Sequence, residues 1–140
     1  MSEKQSSKQG VPAIPELLAP AGSFEKLETA IHYGADAVYL GLSEFSARKG
    51  AVNFTLDHLR RLRSAWPDKS IHLALNTLVA EVDIPRAAEL IQEGVDAGID
   101  ALIVQDPGIA RIARRLAPDL ALHASTQMAI HDADGAAEMQ

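Results

Sequence analysis

The stretch "ALHASTQMAI", residues 121–130, brings His123, Ser125, Thr126 and Gln127 within five positions, directly after an apolar run. A serine with a histidine in hydrogen-bond reach is the starting point for nucleophilic acyl transfer, provided an oxyanion hole exists. On a strand, His123 and Ser125 project from one face, about 6–7 Å apart at the backbone. Their side chains can meet there, yet no G-x-S-x-G elbow raises the hydroxyl. Two other roles suit the same residues. His123, Ser125 and Gln127 can line a pocket, or Ser125 and Thr126 can satisfy backbone groups where a strand turns into its loop.

Other polar residues fall at the ends of apolar runs. Asn76 and Thr77 close one, and Gln105 and Asp106 close another. In "DPG", Asp106 is placed to cap a helix with Pro107 at its first position. Gln105 has no such structural duty, so it joins Asn76, His123, Ser125 and Gln127 as a substrate-pocket candidate. Arg48 completes that set from the long loop "SEFSARKGAVNF", where it and Lys49 can clamp an anion or simply face water. "PAGS", residues 20–23, leaves free amides at a helix start, a weak anion-binding signal. Arg60, Arg61 and Arg63, and again Arg111, Arg114 and Arg115, lie opposite apolar helical stripes and read as solvated faces. His58, His72 and His131 lack metal-ligand spacing, so no metal site is expected in this segment. No single catalytic residue emerges.

These residues need elements to position them, and the chain alternates short apolar runs with helical patterns from residue 14 onward. The runs cover residues 14–20, 36–42, 70–79, 100–106 and 120–125. Between them lie amphipathic segments with Leu27, Ala30 and Ile31, then Leu56, Leu59 and Leu62, then Leu90, Ile91 and Val95, then Ile109, Ile112 and Leu116. Ser23, Asp83 and Asp106 are placed as caps, and a further helix begins near Asp132. "YGADAVYL" and "AGIDALIV" form a faint repeat, with Gly34 and Gly98 64 residues apart, the length of two βα units. Five strands separated by four helices predict parallel pairing and an α/β fold.

An open dinucleotide-binding sheet needs a Gly-rich turn after its first strand, and "APAGS" is not G-x-G-x-x-G. A barrel predicts period-2 alternation with polar residues inside, toward the C-terminal strand ends. That pattern holds: Ile71, Leu73, Leu75, Leu102, Val104, Leu120 and Leu122 point to the helices. Glu16, Leu18, Pro20, Tyr39, Gly41, His72, Ala74, Asn76, Ile103, Gln105, His123 and Ser125 point inward. The expectation is a (β/α)8 TIM-type barrel of which about the first five βα units are present. A closed barrel takes about 250 residues, so residues 14–140 read as the N-terminal part of a barrel domain, preceded by a disordered polar tail over 1–13.

Composition narrows the function classes. Aromatic residues make up 4% and the formal net charge is −6, which disfavours both a base-stacking platform and a general basic footprint. There is no cysteine, hence no disulfide, thiolate zinc site or iron–sulfur ligation within these residues. No apolar stretch is long enough to span a bilayer, and the polar N-terminus lacks the apolar region of a signal peptide. A cytoplasmic protein without membrane partners is expected.

In chain order, "PELLAPAGSFEKLETAIHYGADAVYLG", "FSAR…NF", "LNTLV", "DALIVQDPG" and "LHASTQM" resemble blocks of the peptidase U32, or collagenase-like, family from Glu16 to about His131. The resemblance implies a (β/α)8-type barrel and a longer protein. It also implies a later cysteine-rich segment that bears the peptidase signature and, in several branches, ligates an iron–sulfur cluster. Activities in the family divide between peptidases and oxygen-independent hydroxylation of ribosomal-RNA cytidine, transfer-RNA uridine or the ubiquinone ring. The "LNTLV…QDPG…HASTQM" style is similar to the ribosomal-RNA branch. The expectation is therefore an RNA-modifying enzyme with RNA as partner, whose cluster-binding part lies outside these residues. A collagenase-like peptidase and a non-catalytic half-barrel are the alternatives. On its own the 140-residue chain is expected to be inactive and to self-associate through the open edge at the fifth strand.

Overall fold

In the computed structural model of the chain, residues 14–47 and 54–139 are described. The tail at 1–13 and the pocket candidate Arg48 lie outside them.

Five strands form one parallel sheet in chain order: β1 (Leu18–Pro20), β2 (Ala37–Gly41), β3 (Ser70–Leu75), β4 (Ala101–Val104) and β5 (Ala121–Ala124). Helices α1 (Phe24–His32), α2 (Leu56–Ala65), α3 (Ile84–Asp96) and α4 (Pro107–Leu116) connect them, and α5 (Ala133–Glu138) follows β5. Among the described residues the strand order never reverses, so they hold no topological switch point of the doubly wound kind. A sheet that adds parallel strands in sequence is the arc of a barrel, and the five βα units are a partial barrel.

The apolar alternation is what orients that arc. Val38, Leu40, Ile71, Leu73, Leu75, Leu102 and Val104 form one buried cluster with Leu27, Leu59, Leu62, Leu90, Ile91 and Ile109 of the helices. Each buried aliphatic side chain contributes about 1.5–3 kcal/mol relative to exposure, so a one-residue slip would lose the whole set. The register aligns Tyr39 with His72, His72 with Ala101, and Ile103 with His123. The inward rows are therefore those the alternation predicts.

The strands are shorter than the apolar runs. β1 begins at Leu18 rather than residue 14, since Pro15 has no N–H to give a ladder, and Leu17 bonds instead to the Asp36 carboxylate and to the Asp36 amide. β3 ends at Leu75, where the Asn76 side chain takes over a backbone amide from another loop.

Helix starts follow the predicted caps in two of three cases. Ser23 accepts from the Lys26 amide and Asp106 from those of Gly108 and Ile109. Asp83 occupies the cap position of α3 but makes no side-chain cap bond; a 3₁₀ turn over Glu81–Asp83 leads into that helix instead. Asp132 caps α5, accepting from the Gly135 amide at 2.7 Å. The repeat is physical. Gly34 and Gly98 both adopt positive φ, 97° and 92°, which a side chain would resist. The aspartates after them do the same job, with Asp36 accepting from Leu17 N and Asp100 from Ile71 N.

Candidate functional site

At the C-terminal strand ends the concave face encloses a cavity of about 460 Å³, within the about 300–1,000 Å³ of small-ligand sites. Leu18 comes from β1, Tyr39, Leu40 and Gly41 from β2, Ala74 from β3 and Asn76 just after it, Ile103 from β4, and His123 through Gln127 from β5 and the turn after it. Ser46 and Ala47 of the loop after β2 close one side. The described lining contains no Asp, Glu, Lys or Arg. Its polar groups are amides, hydroxyls and one imidazole, suited to a neutral guest with hydrogen-bonding edges.

Of the pocket candidates, Asn76, His123, Ser125 and Gln127 line this cavity together. Asn76 Oδ1 accepts from the Ala47 amide at 3.0 Å, and its NH₂ end makes no hydrogen bond among the described residues. Gln105 is not among the lining residues. Its Nε2 lies 3.5 Å from the Gln127 carbonyl, a long contact that braces the turn behind the cavity wall. Asp106, read as a cap, has a second function, since its Oδ2 accepts from Val79 N at 3.3 Å and so ties the loop after β3.

The Ser–His reading finds a different arrangement. Ser125 is buried, and its Oγ accepts from the Gln127 amide at 3.3 Å, capping the 3₁₀ turn Thr126–Met128. Among the described residues no hydrogen bond joins His123 to Ser125. The His123 ring packs instead on His72, centroids 5.0 Å apart. His72 is buried to 4% exposure, its Nε2 lies 3.6 Å from Glu16 Oε1, and its Nδ1 has no partner. Burial first, then the neighbouring His123, push the His72 pKa below its ordinary value, against the opposing pull of Glu16 and Asp100. The ring is held neutral beneath the cavity. Among the described residues no group of three or more His, Asp or Glu could hold a metal ion.

Two arginines read as solvated faces hold backbone carbonyls, Arg63 from a partly buried position and Arg114 from an exposed one. Arg63 is 27% exposed and donates to the carbonyls of Gly98, Pro67 and Lys69 as well as to the Asp100 carboxylate. Arg114 donates to the carbonyls of Pro118 and Leu120. In both cases backbone acceptors lie four and six residues ahead, at the proline of an R-x-x-x-P-D segment and just past its aspartate. The sequence reading passed over the pair of Arg86 and Glu44, with contacts at 2.9 and 3.1 Å. The Arg86 hydrogen bond holds the Glu44 carboxyl below its ordinary pKa, and the Arg86 pKa rises in turn.

A family model described as Peptidase family U32 matches residues 22–140. The chain is 35% identical over 128 residues to a "tRNA hydroxylation protein P1" of Bacillus subtilis, covering 89% of this chain and 30% of that protein. It is 38% identical over 122 residues to a "23S rRNA 5-hydroxycytidine" synthase of Escherichia coli, covering 86% and 18%. A "Collagenase" of Porphyromonas gingivalis is 34% identical over 122 residues, covering 85% and 29%. The chain thus spans less than a third of the length of each of these relatives. Among solved structures, the U32 peptidase Mk0906 superposes with a TM-score of 0.71 at 14% identity, covering 97% of this chain and 58% of that one. The tryptophan synthase alpha chain of Legionella pneumophila superposes at 0.50 and 20% identity, covering 78% and 50%. At these identities the two structures speak to the fold, which they share as TIM-barrel-like neighbours.

Proposed function

Because the chain belongs to peptidase family U32, we propose that it forms the base-binding part of a protein acting in oxygen-independent hydroxylation of an RNA base, of the ribosomal-RNA type. The observation that carries the reading is a cavity whose described lining holds neutral polar groups and no charged side chain. A pyrimidine presents adjacent donors and acceptors on its edge, and Asn76, His123, Thr126 and Gln127 offer matching partners. A carboxylate or phosphate would need a cation that the described lining lacks. The names of two relatives, for tRNA and 23S rRNA hydroxylation, support the same substrate class.

In this reading the chain's residues bind and orient rather than attack. The Asn76 NH₂ and the His123 imidazole fix the base edge, the Gln127 side chain bounds it, and Ile103 and Leu40 exclude water behind it. The iron–sulfur cluster implied by the family resemblance would find no thiolate here, since the chain has no cysteine. It would be held wholly by other residues. Contacts to the RNA backbone would also come from elsewhere, given the net charge of −6.

The collagenase name of one relative favours a second reading, cleavage of a peptide. The two are separable by experiment. Mass spectrometry of ribosomal- and transfer-RNA nucleosides from a strain lacking the gene should show one hydroxylated pyrimidine missing, restored when the gene is returned. Unchanged RNA in the deletion strain would overturn the proposal. Retained hydroxylation with Ser125→Ala would argue against a serine nucleophile, whereas loss of a peptidase activity with that variant would favour the second reading.

A further inference from the structure

We infer that the Glu44–Arg86 ion pair is a positioning device for the site, holding Ser46 and Ala47 in the cavity wall without touching the cavity. This rests on the reading of the cavity as the binding site. Arg86 on α3 meets Glu44 in the loop after β2 through two parallel contacts, Nη2 to Oε1 at 2.9 Å and Nε to Oε2 at 3.1 Å. A two-point fork fixes orientation as well as distance. The remaining nitrogen, Nη1, is taken by Glu89 at 3.3 Å and Glu93 at 3.2 Å on the same helix. The fork is therefore aimed before Glu44 arrives.

What the pair holds is a strained turn. Phe45, next to Glu44, has φ 56°, a left-handed conformation that bulky residues rarely adopt. Such a residue persists where its neighbours over-determine it. Glu44 is fixed on one side of it, and on the other Asn76 Oδ1 accepts from Ala47 N at 3.0 Å. The Phe45 side chain packs on the core. Between these anchors Ser46 is pressed onto β2: a Cβ built on Gly41 would lie 2.2 Å from Ser46 Oγ. Glycine at position 41 is what lets the loop come this close. Neither Glu44 nor Arg86 is among the cavity's lining residues, whereas Ser46, Ala47, Gly41 and Asn76 are.

The test is amide hydrogen exchange on the full-length protein, as wild type and as Glu44→Gln, Arg86→Lys and Glu44→Asp variants, with RNA hydroxylation measured in complemented deletion cells. Glu44→Gln and Arg86→Lys should speed exchange in the peptide over residues 43–47 by about fivefold, the upper end for a half-exposed pair. Peptides from β3 and β4 should not change. Hydroxylation should fall with Glu44→Gln and recover in part with Glu44→Asp, which keeps the carboxylate. Unchanged exchange over 43–47 in Glu44→Gln would overturn the inference, as would acceleration spread equally over β3 and β4. If wild-type cells lack the modification, the RNA reading fails, and the exchange result still decides the role of the pair.

Discussion

At the residue scale, His72 departs from the chemistry of a free imidazole. It is buried, its Nδ1 is unpartnered, and burial is the first cause of its lowered pKa. Above the ordinary value of 6.5 the ring is neutral folded or unfolded. As pH falls below 6.5 the unfolded chain takes up the proton first, so stability drops until the lower folded value is reached. Denaturant titrations at about pH 7.5 and about pH 5.5, either side of that ordinary value, should show this loss in the wild type and a smaller one in His72→Gln. Equal losses would contradict it. Glu44 acts in a separate window, since its contribution is present above 4.5 and disappears as pH falls through its lowered folded value. The inward placement of His72 and His123 was legible from strand alternation. Their contact was not, because it crosses an intervening strand, and nothing local marks it.

At the scale of elements, periodicity went furthest where one face meets an apolar core. Ile71, Leu73 and Leu75 alternate with His72 and Ala74 along β3, and the three aliphatic side chains are the ones that join the helix-facing cluster. Strand ends were less legible, since they are decided by side chains such as Asn76 and Asp36 that capture backbone amides from other segments. The arginines show the same limit. Charge opposite an apolar stripe reads as solvated, yet Arg63 finds Gly98 and Asp100 35 and 37 residues away. Its removal leaves carbonyls and a carboxylate without their donor, so Arg63→Ala should cost about 2–3 kcal/mol. Arg114→Ala, with two carbonyl acceptors and no carboxylate partner, should cost about 1 kcal/mol. Denaturant unfolding of both variants checks the order; an Arg63→Ala protein as stable as wild type would refute the clamp.

At the scale of the whole molecule, β1 and β5 are the two ends of an all-parallel arc, each paired on one side only among the described residues. Leu17 and Leu18 are exposed at the first edge, and Ala121, His123 and Ala124 along the last. Unpaired edges with apolar surface beside them template association. These 140 residues expressed alone should therefore sediment as oligomers or aggregate; a monodisperse, cooperatively melting monomer would contradict the prediction. No helix of the described residues is long and apolar enough to cross a membrane. Barrel class was legible because strand order and inward polarity agree, and family membership because several blocks recur in order. The guest of the cavity was not, because its described lining is assembled from five strands and the loops between them, distant in sequence.

The role proposed for the strand-end cavity is RNA-base hydroxylation. It is tested most directly by returning a His123→Ala/Gln127→Ala variant of the full-length gene to the deletion strain and quantifying hydroxylated pyrimidines in its RNA. His123 is exposed, and the Gln127 contact to Gln105 uses its backbone carbonyl, so the variant should accumulate as a folded protein. Loss of one hydroxylated pyrimidine at wild-type protein level is the predicted result. Wild-type hydroxylation by that variant would contradict the account.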